Sequence, residues 1–275
     1  MLVNLRREID PSAIERLYVD ESLTIEEIAD HFGLGATTIR RRLDDLGIPT
    51  RPRGPHPDPN ANPARREWSP DLAYAVGLIA TDGNLSKDGR HLTVTSADRD
   101  MLETLCACLG LENRITPHMG FLRFYYRVQW SDRQFYDWLL SIGLMPAKSL
   151  RLGALKIPDE YFADFVRGCL DGDGSIQVYT DRWNTFKKEK YVYERLFVIF
   201  TSASLPFLEW LQASIACLIG VSGSIIARKL QPGHPPCWEL KYAKRDSIRL
   251  LKWLYYAPDV PCLERKRKKA IAFLT

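Results

Sequence analysis

Apolar residues recur along the chain with two different periods, and the change of period divides it. Up to residue 46 the period is helical. Ile14, Leu17 and Tyr18 stand at i, i+3 and i+4 of a first helix. Thr24 and Glu27 form a capping box that opens a second helix with Ile25, Ile28 and Ala29 inward. Gly33-Leu34-Gly35 forces a turn, and a third helix carries Ile39, Leu43 and Leu46 on one face. Its outward positions are Ala36, Thr37, Arg40, Arg41 and Asp44. From residue 68 onward, helical stretches alternate with segments of period two. Strands are predicted at 91–95, 114–116, 121–130, 175–179, 191–200, 223–227 and 238–242, and helices near 98–110, 132–143, 205–218 and 245–256. Charged or aromatic residues alternate with aliphatic ones in the strands, which suits sheets buried on one face only.

Between the two regimes, residues 51–66 hold five prolines and almost nothing apolar. Such a segment favours an extended polyproline path of roughly 3 Å per residue, a semi-rigid tether of about 45 Å. The predicted organisation is therefore a small all-α unit at 1–50, a Pro/Arg-rich linker at 51–67, and a body of two parts, 68–150 and 151–275. The three short helices resemble a helix-turn-helix of the resolvase and homeodomain-like kind, in which the third helix reads DNA. Charge agrees with that resemblance: residues 1–32 carry three basic and eight acidic side chains, whereas 36–53 carry five arginines against Asp44 and Asp45. Thr37, Arg40 and Arg41 are candidate DNA contacts, and Arg51 and Arg53 a candidate minor-groove arm.

Composition adds mainly exclusions. The 275 residues are 45% hydrophobic and 11% aromatic with a net charge of +4, which excludes a disordered or collagen-like chain. No run of about 18 uncharged apolar residues occurs, so no membrane partner is expected. The six cysteines show no CxxC pair and the histidines are scattered, which supports neither a zinc site nor a disulfide framework. A cytoplasmic or other reducing intracellular compartment is expected.

The body repeats itself at a spacing of 91 residues. Ala75-Val-Gly77-Leu-Ile-Ala-Thr-Asp82-Gly83-Asn-Leu85 aligns without gaps on Val166-Arg-Gly168-Cys-Leu-Asp-Gly-Asp173-Gly174-Ser-Ile176. Each copy reads as an apolar helix ending in Asp-Gly, with glycine supplying a left-handed stop and the aspartate at the end where the helix dipole disfavours it. An acid placed there needs a compensating cation. Small residues (Ala73, Gly77 and Thr81; Gly168 and Gly172) allow two such helices to cross with close backbones and bring Asp82 beside Asp173. Adjacent carboxylates ionise together only with a hard divalent cation, so a two-carboxylate metal site is expected.

The paired blocks resemble the signature of LAGLIDADG homing endonucleases, and so do Lys156-Ile-Pro158, Phe165-Val-Arg-Gly168 and Leu263-Glu-Arg-Lys266. The resemblance covers about residues 68–275. It implies an α+β fold of two pseudo-symmetric αββαββα half-domains forming a saddle over double-stranded DNA. It implies Mg²⁺, or Mn²⁺ in its place, held by Asp82 and Asp173 with the carbonyls of Thr81 and Gly172, and no small-molecule cofactor. Each site then cuts one strand across the minor groove. Saddle-face candidates are Arg123, Tyr125, Arg127 and Gln129 in the first half, and Gln177, Tyr179, Arg195, Arg228, Lys241 and Lys244 in the second. A basic-aromatic insertion at 181–193 extends the second half.

A basic side chain usually completes each site of the family. Alignment of the last helices of the two halves sets Gln129 opposite Lys241, with Lys244 as the alternative, and so implies two unequal sites. One departure from the signature is Ala80, where the second copy keeps the acid Asp171. Two half-domains in one chain imply a monomer acting on a long asymmetric site. The alternatives are a catalytically silent DNA-binding regulator and an RNA-splicing maturase of the same fold.

Overall fold

A computed structural model describes residues 10–21, 23–50, 63–120, 124–183, 186, 188–229 and 236–274. Arg51, Arg53 and Arg123 lie outside the described residues, as do positions 51–62 of the expected linker. The chain divides into two compact units, 1–56 and 57–275.

The first unit is three helical segments around its own small core. α1 (Pro11–Glu15) starts where the Asp10 carboxylate accepts the Ser12 N–H at 3.0 Å, and it runs on as a π turn over Arg16–Asp20. α2 (Ile25–Phe32) has the expected capping box: the Thr24 hydroxyl accepts the Glu27 N–H at 3.2 Å, and the Thr24 N–H donates to the Glu27 carboxylate at 2.8 Å. α3 (Ala36–Asp45) buries Ile39 and Leu43 against Ile14, Leu17, Tyr18, Ile28 and Ala29. Leu46, expected on that face, is exposed. Gly47 turns left-handed just after it (φ +67°), the helix ends, and the reversed chain packs Ile48 into the core instead. Ala36, expected outward, packs partly against the same core, whereas Thr37, Arg40, Arg41 and Asp44 are exposed.

The second unit shows the expected α+β order twice. Its first half runs α4 (Pro70–Asp82), β1 (Gly83–Leu85), β2 (His91–Ser96), α5 (Arg99–Leu109), β3 (Thr116–Met119), β4 (Phe124–Ser131) and α6 (Arg133–Ser141). The second half repeats it as α7 (Phe162–Asp171), β5 (Gly174–Asp181), β6 (Tyr193–Ser202), α8 (Leu205–Ile219), β7 (Ser224–Ala227), β8 (Trp238–Tyr242) and α9 (Lys244–Leu254), followed by α10 (Glu264–Ile271). Both sheets are antiparallel, ordered β1-β2-β4-β3 and β5-β6-β8-β7. β3 begins at Thr116, so Arg114 and Ile115 precede the strand rather than form it.

One continuous core joins the halves. α4 is buried from Leu72 to Ala80 and α7 along its whole length, because the two helices pack on each other as well as on their own sheets. In the sheets, Leu92, Val94, Val128 and Trp130 point inward in the first half, and Ile176, Leu196, Val198, Phe200, Leu240 and Tyr242 in the second. A short turn, Pro63–Arg66, belongs to this body. The Arg65 guanidinium donates to the Leu109 carbonyl at 2.7 Å, the Gly110 carbonyl at 3.0 Å and the Asp132 carboxylate at 3.1 Å. No helix among the described residues is long and apolar enough to cross a membrane.

Candidate active site

The site is made where α4 and α7 cross. A Cβ built on Gly77 would lie 2.9 Å from the Gly168 Cα, and one on Gly168 3.0 Å from the Gly77 Cα. At the same interface the space for a Cβ on Gly172 is filled by Thr81, whose own Cβ would stand 2.8 Å away. The expected small-residue face is therefore what lets the two backbones touch, and the touching ends carry Asp82 and Asp173.

Gly83 and Gly174 do not stop their helices by a left-handed turn, contrary to the sequence expectation. Gly83 is extended (φ −82°, ψ 152°), and neither residue has a positive φ. Each is glycine for space: a Cβ on Gly83 would come 2.7 Å from the Ile79 Cα, and one on Gly174 2.7 Å from the Leu170 Cα. The chain folds straight from helix into strand over its own last turn.

Two buried lysines satisfy the helix ends instead. Lys148 Nζ donates to the carbonyls of Thr81 (3.1 Å) and Gly83 (2.6 Å). Lys266 Nζ donates to those of Leu170 (2.7 Å), Asp171 (2.6 Å) and Gly172 (3.0 Å). An ammonium at a helix C-terminus meets both the orphan carbonyls and the negative end of the dipole. Burial lowers the pKa of both lysines, that of Lys266 to about 8. They also offset part of the charge of the two acids.

Asp82 is half-buried. Burial, and after it the charge of Asp173, pushes its carboxyl up to about 6. Asp173 opens to solvent on one side but has protein packed behind it, which raises its carboxyl as well. The lysines oppose both shifts in a crossed pattern. Lys266, which caps the helix end leading to Asp173, is the cation that acts more strongly on Asp82; Lys148, which caps the helix end at Asp82, acts more strongly on Asp173. Thr81 Oγ1 also donates to Asp82 at 3.1 Å.

Asp171 supports the second helix end. Its Oδ2 accepts the Tyr74 hydroxyl across the helix crossing at 3.0 Å and the Leu263 N–H at 2.7 Å, which ties α7 to the start of α10. Ala80, its counterpart in the repeat, is buried and makes no such tie.

The remaining candidates fall into two groups. Tyr125, Arg127 and Gln129 lie on the face of β4 opposite the inward Val128 and Trp130, and Gln177, Tyr179, Arg195 and Lys241 lie on the corresponding face of the second sheet. Arg228 pairs with Glu239 at 3.2 Å and Lys244 with Glu194 at 2.8 Å, both at the surface. Register sets Lys241 in one row with Ile199 and Ser175, and Gln129 in one row with Thr93 and Asn84, each row beginning two residues after a carboxylate; among the described contacts Lys241, Lys244 and Gln129 make none with Asp82 or Asp173. Lys241 Nζ stands 3.9 Å over the Phe197 ring, and the Gln129 backbone carbonyl accepts Asn113 Nδ2 at 3.2 Å. The cations that act electrostatically on both carboxylates are Lys148 and Lys266, which the strand alignment does not include. A signal was available for one of them: Lys266 closes the Leu263-Glu-Arg-Lys motif, whereas Lys148 stands in a stretch that also holds Ser149 and Arg151 and does not single it out.

No family model matches the chain, and no curated protein is similar to it. Solved structures are similar in fold at low identity. A structure of variants of the homing endonuclease I-DmoI is 17% identical over 70% of this chain and 94% of its own, with a TM-score of 0.45. The meganuclease I-SmaMI bound to uncleaveable DNA is 13% identical over 76% of this chain and 89% of its own, with a TM-score of 0.47. Full-length WhiA from Thermatoga maritima is 13% identical over 75% of this chain, which spans 62% of that protein, with a TM-score of 0.47.

Proposed function

We propose that the chain is a divalent-metal-dependent DNA endonuclease of the LAGLIDADG type, one active site to each half-domain. The observation that carries this reading is the crossing at Gly77 and Gly168. It delivers two carboxylates, each raised by burial, to one place between two buried lysines. A pair of neighbouring helix stops would not need that arrangement, whereas a cation site does.

The donor set fits Mg²⁺ or Mn²⁺: Asp82 and Asp173 supply hard anionic oxygens, and Asp82 is raised by burial and then by the charge of Asp173, the second of which a bound cation would relieve. The carbonyls of Thr81 and Gly172 each have one lone pair engaged by an ammonium and one left. When bound, the metal supplies charge stabilisation for the attacked phosphate and an acidified water. The chain's own groups do the rest. Lys148 and Lys266 fix the helix ends and hold positive charge beside the scissile region, and the outward faces of the two sheets receive the duplex. Tyr125, Arg127 and Gln129 serve on one side, and Gln177, Arg195 and Lys241 on the other. Thr37, Arg40 and Arg41 of the first unit add a second DNA contact. Because both carboxylates come from one chain, it acts as a monomer on an asymmetric site in the compartment that holds its DNA.

The test is selection of a cleaved site from randomised duplex DNA with Mg²⁺, followed by Asp82→Asn and Asp173→Asn. Each substitution should reduce cleavage to background while leaving binding in place. Tight binding of a selected site by the wild-type protein with no cleavage in Mg²⁺ or Mn²⁺ would establish the regulator instead.

A further inference from the structure

The outward faces of the two sheets differ in chemistry. In the first sheet that face is polar near the helix crossing, with Asn84, Thr93 and Gln129 in one row and Thr95, Arg127 and Thr116 in the next, and carries one stacked pair, His118 and Tyr125, beyond them. In the second sheet it is a run of aromatic rings interleaved with cations. Register places Phe197 beside Gln177, Tyr179 beside Arg195, and Tyr193 beside Asp181. The rings of Tyr179 and Phe197 are 6.2 Å apart, and Lys241 Nζ stands over Phe197. The Arg195 guanidinium lies 5.3 Å over Tyr193 and is held there by the Asp181 carboxylate at 2.9 Å. Tyr191 stacks on Tyr193 at 6.2 Å and 20°.

The run also leaves the sheet. β8 pairs with β6 only from Val198 to Ser202, so β5 and β6 continue past it as a two-stranded ribbon. Tyr179 and Tyr193, on that ribbon, are 50% and 44% exposed. Ordinary sheet packing does not account for large rings held in the open by cations. A duplex does not account for them either, because it keeps base faces inside its own stack and presents edges and phosphates, which amides and cations read. Base faces become available to aromatic rings where the strand is unpaired, and there stacking and phosphate contact act together.

We propose that the ribbon face is a binding site for an unpaired polynucleotide strand, with bases stacking on Tyr179 and Tyr193 and phosphates meeting Arg195 and Lys241. The site shares Arg195 and Lys241 with duplex binding in the saddle, adds the two exposed rings to them, and does not depend on cleavage. DNA and RNA share the required chemistry.

The experiment uses the full chain without divalent metal. It measures the anisotropy of fluorescein-labelled oligothymidylate and oligouridylate of about 12 nucleotides, alongside a duplex of equal length, and follows the intrinsic fluorescence of the protein. Single strands should bind with quenching of that fluorescence. Tyr179→Ala and Tyr193→Ala should each weaken single-strand binding about tenfold and duplex binding less than twofold. Tyr179→Phe and Tyr193→Phe should keep wild-type affinity, and circular dichroism should show both pairs of variants folded. Tyr179→Leu, which keeps the bulk and loses the ring, should behave as the alanine variant if that one is unstable. A preference for thymidylate or uridylate identifies the strand the site takes. The proposal is overturned by absence of single-strand binding, by binding without quenching, by equal losses for single strand and duplex, or by phenylalanine variants as weak as alanine.

Discussion

Gly77 and Gly168 meet backbone to backbone where their two helices cross, with only main chain against each of them at that point. A methyl group at either position has to displace main chain rather than a side-chain tip, and main chain in a packed core has nowhere to go. Gly77→Ala or Gly168→Ala should each destabilise the body by about 3 kcal/mol, read from the midpoint of urea unfolding. Because the carboxylates ride on these helices, the surviving folded fraction should also bind Mn²⁺ more weakly, measured by electron paramagnetic resonance. Full stability in both variants would show that the helices are not in this contact.

Lys148 and Lys266 predict a strand-specific phenotype. Each caps one helix end and acts electrostatically more on the carboxylate of the other, so removing one charge unbalances the sites unequally. Lys148→Met and Lys266→Met keep the aliphatic stem and lose the charge. Each should slow cleavage of one strand about 10²- to 10³-fold, the magnitude for losing one electrostatic stabiliser, and the two variants should slow opposite strands. Nicking of a supercoiled target, resolved by strand, measures this. Lys241→Met should leave the chemical step unchanged and alter affinity alone.

Buried carboxyls set a pH dependence of stability. Asp82 and Asp171 are raised to about 6 in the fold, from an ordinary value near 4. Between those values the folded chain holds more protons than the unfolded one, so stability falls as pH rises from about 4 to about 6. Thermal unfolding in a metal-free buffer series should show that fall. Asp171→Asn should remove the Asp171 share of it, and saturating Mg²⁺ should remove part of the Asp82 share while leaving that of Asp171. A stability that climbs through the same window would contradict the burial of both groups.

The fold was legible because its pattern was local and doubled. The period-two segments, the capping box at Thr24 and the 91-residue repeat each follow from neighbouring residues, and the structure keeps them. Face assignment in the strands followed from parity, so Gln129 and Arg195 lie where alternation put them. The basic groups of the site were not legible from strands, because they come from loops and a terminal helix. Lys148 reaches back 67 residues to Thr81, and Lys266 95 residues to Asp171. Register in a strand says nothing about such closures. The glycines of the two Asp-Gly pairs look like turn-formers in the sequence for a similar reason: a left-handed stop and a close approach leave the same letter, and only the packing of Gly83 on Ile79 and of Gly174 on Leu170 separates them.

The first unit predicts what its removal does. It has its own core, with Ile14, Ile28, Ile39 and Leu43 at most 1% exposed, and it displays Arg40 and Arg41 outward from α3. Neither the helix crossing nor the two lysines draws on it. A chain beginning at residue 57 should therefore fold, bind its target more weakly, and still cut it with Mg²⁺ at saturating protein. If Arg40, Arg41 and one further cation of the unit each meet a phosphate, the slope of log affinity against log salt should fall by about 3, measured by fluorescence anisotropy at several salt concentrations. An unchanged slope would place the unit off the DNA, and loss of all cutting at saturation would mean that the body needs it for more than reach.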